Sequence, residues 1–156
     1  MTANPGEALA GTFASSLDNA NEVIYRRATE AIPPGTLVVV TVDDENTCDL
    51  PDATGEVTGG RALGIALIDR QSTSTNYATG DMVRIAVSGE VWVAAEDAVT
   101  AGADAFVRFT DAATTLGTFR SDVDGTDAVA LPNAKFSTTT AGAGLAKVQL
   151  GIGVFS

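Results

Sequence analysis

Apolar residues in this chain recur in short runs and at period two far more than at the three-and-four spacing of a helix. Leu37-Val38-Val39-Val40-Thr41-Val42 is a continuous apolar run of strand length, which predicts a strand buried on both faces. A second strand is predicted from Ala62 to Ile68. A third runs from Met82 to Val87, where Ser88-Gly89 has the composition of a two-residue hairpin turn leading into Glu90-Val91-Trp92-Val93. In that register Val83, Ile85 and Trp92 share one face, and Met82, Arg84, Ala86, Val91 and Val93 share the other. Neither face is fully polar, so one is expected to meet the core and the other a second layer or a second subunit. Ala105 to Phe109 reads as a further strand, with weaker ones at Thr118-Phe119-Arg120 and Ala134-Lys135-Phe136. At the end, Ala146, Val148, Leu150, Ile152 and Val154 alternate with Lys147, Gln149, Gly151 and Gly153, a half-buried strand. The pattern predicts an all-β domain, a small barrel or sandwich of about seven short strands.

Residues 1–31 differ in texture. The break falls at Ile32-Pro33-Pro34-Gly35, where two prolines forbid helix continuation. The expected division is therefore an N-terminal arm over 1–31 and a β domain over 32–156. Leu17, Ala20, Ile24 and Ala28 also suit a short amphipathic helix after Asp18, but the sparse apolar content favours an extended arm lying on another surface. Leu9, Phe13, Leu17 and Ile24 are its candidate docking side chains, and Arg26-Arg27 is the one basic pair, suited to an acidic neighbour.

Charge narrows the partners. The net charge is −11, with nine cations against 20 carboxylates, so phosphate surfaces are repelled and neither nucleic acid nor anionic membrane is an expected partner. No apolar stretch reaches the length of a membrane span and no leader pattern opens the chain, so a soluble protein is expected. Cys48 is the single cysteine, which excludes an intrachain disulfide and suits a small, half-buried filler.

The candidate chemistry is thin. There is no histidine, hence no usual general base, no nucleophile paired with histidine and no commonest zinc ligand. Glu90, Glu96 and Asp97 remain as lone carboxylates. Gly55-Glu56-Val57-Thr58-Gly59-Gly60-Arg61-Ala62 has the outer spacing of a phosphate loop, but Arg-Ala stands where Lys and Ser or Thr are required, so a flexible loop is expected. Asp122-Val123-Asp124-Gly125-Thr126-Asp127 resembles half of a calcium loop, lacks the distal glutamate, and reads as a solvated turn. No enzyme activity, cofactor or metal is expected.

The order of segments along the chain resembles that of the phage structural cement family. Its motifs here are Ala8-Leu9-Ala10-Gly11-Thr12-Phe13-Ala14, Ile32-Pro33 with Gly35, Leu63-Gly64-Ile65-Ala66-Leu67, Tyr77 with Gly80-Asp81-Met82-Val83, Gly89-Glu90-Val91-Trp92-Val93, Val99-Thr100-Ala101-Gly102, Leu131-Pro132-Asn133-Ala134-Lys135-Phe136 and Gly144-Leu145-Ala146-Lys147-Val148. The resemblance implies a capsid decoration protein on the outer surface of a tailed-phage head, with the major capsid protein as its partner. Met82, Arg84, Val91 and Val93, on the second face of the expected hairpin, would then form the contact between copies, a homotrimer being expected ahead of a homodimer. Two rival readings are a subunit of a phage fibre, spike or tail, which should show internal repeats, and a carbohydrate-binding module, for which Tyr25, Tyr77 and Trp92 are few and scattered.

Overall fold

The computed structural model describes residues 10–14, 22–68, 76–110 and 115–150. Among them run nine strands, β1 (Glu22–Ala28), β2 (Leu37–Val40), β3 (Thr47–Asp49), β4 (Ala62–Ala66), β5 (Met82–Ala95), β6 (Asp104–Arg108), β7 (Phe119–Arg120), β8 (Ala128–Phe136) and β9 (Gly144–Leu150), with one short helix, α1 (Thr54–Thr58). The all-β expectation holds.

The pairings close two rings that share β5. In the first, β1 pairs with β3, β3 with β2, β2 with β4, β4 with β5, and β5 returns to β1. In the second, β5 pairs with β7, β7 with β6, β6 with β8, β8 with β9, and β9 returns to β5. Two apolar clusters follow. Val38, Cys48, Ala66, Val83, Ile85 and Val87 pack together with Ile32 and Tyr77 and fill the first ring. The larger cluster joins Leu37, Val39, Ile65 and Ala86, on the outer face of the first ring, to Val91, Val93, Val107, Phe119, Phe136 and Val148 of the second. Strand β2 therefore contributes to both clusters, as its continuous apolar run predicted. Each fully buried Val, Leu, Ile or Phe stabilises by about 1.5–3 kcal/mol relative to exposure, so the interface between the rings is a major part of the fold's stability.

The hairpin expected at Ser88-Gly89 does not form. Residues 82–95 are one continuous strand whose first half pairs with β1 and β4 and whose second half pairs with β9, from Gly89 opposite Leu150 to Ala95 opposite Gly144. The register against β1 steps from Ser88 opposite Glu22 to Ala86 opposite Val23, so Val87 is an inserted residue, a β-bulge. Gly89 follows it at φ 108°, a backbone region that L side chains avoid. The bulge exchanges faces. Val83, Ile85 and Val87 point into the first ring, and beyond it Val91, Val93 and Ala95 join the second cluster.

The division at residue 31 also requires correction. Residues 22–28 are a strand of the first ring, not part of an arm or of a helix, with Ala28 buried and Ile24 packed against the ring's interior. Residues 10–14 lie along β5 as well. The Gly11 N–H donates to the Trp92 carbonyl at 2.8 Å, the Trp92 N–H to the Thr12 carbonyl at 2.8 Å and the Ala14 N–H to the Glu90 carbonyl at 2.7 Å, while Phe13 stands opposite Val91. Leu9, Leu17 and Ala20 lie outside the described residues, as do Ile152 and Val154. The loop expected before β4 contains α1, which buries Val57 in the larger cluster.

Candidate docking face

The antiparallel register of β1 on β5 places Tyr25 opposite Arg84 and Arg27 opposite Met82, while Ile24 faces Ile85 and Arg26 faces Val83. Because side chains alternate, Tyr25, Arg27, Met82 and Arg84 stand together on the outer wall of the first ring. Tyr25 is 52% exposed and Met82 48%. The Arg27 Nη1 donates to the Gly80 carbonyl at 2.9 Å. Arg26, on the alternate face, is tied to backbone, its Nε donating to the Glu45 carbonyl at 3.1 Å and its Nη1 to the Tyr25 carbonyl at 2.8 Å.

Arg27, expected to dock, thus comes together in one strip with Met82 and Arg84, which were expected at a contact between copies. Ile24 and Phe13 are turned toward the two apolar clusters instead. Val91 and Val93 were expected on a face between subunits, but both are fully buried within the chain. The argument for a homotrimer from an open hairpin face therefore loses its residues. Tyr25 is the member of the strip that sequence reasoning missed. Its signal was period two within Glu22–Ala28, legible only once that segment is taken as a strand.

The lone carboxylates are held in structural roles. Glu96 accepts from Arg108 Nε at 2.7 Å, Arg108 Nη2 at 2.8 Å and Arg120 Nη1 at 2.6 Å, and Thr118 also donates to it. Burial pushes the Glu96 carboxyl up, but the hydrogen bonds from Arg108, Thr118 and Arg120 outweigh it and hold it at about 2. Glu90 accepts from Ser137 Oγ at 2.5 Å. Asp97 accepts from the Ser121 N–H at 3.0 Å and from Ser121 Oγ at 2.6 Å. In the Asp122–Asp127 turn, Asp122 takes the Arg120 Nε at 3.0 Å and Asp124 takes Arg108 Nη2 at 2.6 Å, so these carboxylates neutralise arginines. Among the described residues no three of His, Cys, Asp and Glu are placed to hold a metal ion. None of the described helices is long and apolar enough to cross a membrane.

The sequence profile described as structural cement protein (E217 gp24/Pam3 gp6) matches residues 1–151. The chain belongs to the phage structural cement family. Membership makes it a structural, capsid-stabilising protein of the phage virion, in a family that is not one of enzymes. The cement protein's fold is similar to that of a chain in the capsid of Myoviridae phage XM1, at a TM-score of 0.74 and 16% identity over 97% of this chain and 94% of that one. A second similar chain belongs to the head fiber gp8.5 N base of bacteriophage phi29, at a TM-score of 0.44 and 12% identity over 84% of this chain and 94% of that one. No curated protein sequence matches.

Proposed function

We propose that this cement protein binds the outer surface of a tailed-phage head and holds neighbouring major capsid subunits together against the pressure of packaged DNA. The observation that carries the reading is the family match over residues 1–151. The structure supports it in kind. Every described strand has a neighbour on both sides, and the carboxylates that sequence alone offered as catalysts are engaged in holding the second ring. Such a body acts through its surface, and repetition over a shell turns individually modest contacts into a large total. The charge of −11 keeps it off nucleic acid.

The test is addition of purified protein to heads assembled without it, followed by sedimentation, cryo-EM and a thermal release assay of the packaged DNA. Saturable binding to the outside, with DNA release moved to higher temperature, is the expected result. Failure to co-sediment with heads at micromolar concentration would overturn the reading.

A further inference from the structure

We propose that the outer wall of the first ring at β1 and β5, carrying Tyr25, Arg27, Met82 and Arg84, is the strip that docks onto a carboxylate-bearing surface of the capsid shell protein. The proposal rests on the cement reading above.

Each of the nine described strands is paired on two sides for at least part of its length, although β1 meets β3 only at Arg27 and Ala28, so little open ladder is left for a partner strand and attachment falls mainly to side chains. Among the described residues the large exposed apolar side chains are Tyr25, Val42, Met82 and Val123, and of these Tyr25 and Met82 lie on adjacent strands, on one face, in neighbouring register.

Arg61, Arg108, Arg120 and Lys135 are each paired with a carboxylate of the same chain. Lys147 lies over the Trp92 ring at 5.4 Å, and Arg26 is tied to backbone carbonyls. Arg27 and Arg84 have no carboxylate within ion-pair distance among the described residues, and both stand on the strip with Tyr25 and Met82. Among the described residues three guanidinium groups, those of Arg26, Arg27 and Arg84, stay out of ion pairs in a chain of net charge −11, and two of them, Arg27 and Arg84, stand beside an aromatic and a thioether on one face. The surface that complements this strip presents carboxylates, which the guanidinium fork meets with two parallel hydrogen bonds, flanking an apolar contact.

The test uses the full-length protein and heads assembled without it. In one variant Arg27→Glu and Arg84→Glu are combined, in a second Tyr25→Ala and Met82→Ala are combined, and Lys135→Glu on the second ring is the control. Circular dichroism and thermal melts establish that each is folded. The expected result is that wild type and the control bind alike, while the charge-reversed variant loses about tenfold or more in affinity at low salt and its salt dependence flattens. The second variant is expected to lose affinity at every salt concentration, and it decides the matter if the charge-reversed protein does not fold. Binding of a folded variant at the wild-type level would overturn the strip and leave the cement reading standing. A wild type that does not bind heads would overturn both. A shift in the mass of the free protein on charge reversal would assign the strip to contact between copies, and so overturn the proposal as well.

Discussion

Arg108 embraces Glu96 with two nitrogens, Nε to Oε2 at 2.7 Å and Nη2 to Oε1 at 2.8 Å, and Arg120 closes on the same carboxylate from the other side. Arg108 and Glu96 are only 4% and 11% exposed, whereas the Lys135–Asp104 pair is 59% and 54% exposed. The contrast sets the magnitudes. Removing one partner of a buried pair leaves an uncompensated charge and costs about 3–5 kcal/mol, while an exposed pair contributes about 0–1 kcal/mol. Glu96→Gln should therefore lose about 3 kcal/mol in urea unfolding at pH 7, and Lys135→Met should be nearly silent. The pH dependence follows from the sign of the shift. Glu96 is held at about 2, below its ordinary 4.5, so its contribution is fully present above about pH 4.5 and disappears as pH falls through about 2. Wild type and Glu96→Gln should converge in that window. A constant gap from pH 7 to pH 2 would mean that the carboxylate is not what holds the two arginines.

Asp49 should act in the opposite sense. Burial pushes its carboxyl up to about 6, Glu56, Glu30 and Asp52 add to the rise, and Arg61 opposes it. Its Oδ1 is buried without a hydrogen-bond partner. A raised carboxyl stabilises the fold at low pH and loses that contribution as pH climbs from about 4 through about 6. Asp49→Asn should then melt higher than wild type at pH 8, with the advantage shrinking toward pH 4. Equal differences at both pH values would show that Asp49 titrates as an ordinary surface carboxylate.

Cys48 lies inside the first ring, and burial, with Asp49 adding, pushes its thiol up to about 12. Since the thiolate is the nucleophile, a thiol reagent should leave the native protein unlabelled and react at the rate at which the ring opens. Labelling that is complete at once in native buffer, and unchanged by mild denaturant, would show that the ring is open in solution.

What the chain disclosed on its own was decided by local pattern. The Leu37–Val40 run was readable as buried on both faces because four consecutive apolar residues satisfy two cores at once, and β9 was readable because Ala146, Val148 and Leu150 alternate with polar positions. The errors share one cause, which is distance along the chain. Strand β1 carries only Ile24 and Ala28 inward with two arginines beside them, a weak pattern by itself, and it is a strand because β5 and β3 close a ring through it. Ser88-Gly89 has the composition of a turn, but a glycine at positive φ serves a bulge equally well. What decides between them is that β1 and β4 pair with one half of β5 and β9 with the other. Helix α1 likewise depends on the burial of Val57 against residues remote in sequence. The proposed docking strip is half legible in the sequence. Arg27 stood out as half of the one basic pair and Met82 and Arg84 as members of the second face of the expected hairpin, whereas Tyr25 becomes legible only with the strand that carries it.

The N-terminal segment offers the sharpest remaining test. Treated as an arm, residues 1–31 should be dispensable for folding. The register of β1 on β5 and β3 argues the reverse, because deleting 1–31 opens the first ring, uncovers Val83 and Ile85, and removes the backbone bonds of residues 10–14 to Glu90 and Trp92. The deleted protein should lose its cooperative melt, whereas deletion of residues 1–9 alone, which removes none of these contacts, should leave the melt in place. Gly35→Ala probes the same seam more gently. Gly35 has φ 87°, and an added Cβ would fall 2.5 Å from the Cβ of Ala10. Backbone strain at such a position costs about 1–3 kcal/mol, and the new methyl group also pushes residues 10–14 off β5. The variant should melt lower than wild type and be cut by protease within residues 10–14 while wild type survives. A cooperative, wild-type melt after deletion of 1–31 would show that β5 closes its ring without β1, and protease resistance of Gly35→Ala equal to wild type would show that the N-terminal segment is not anchored at Ala10.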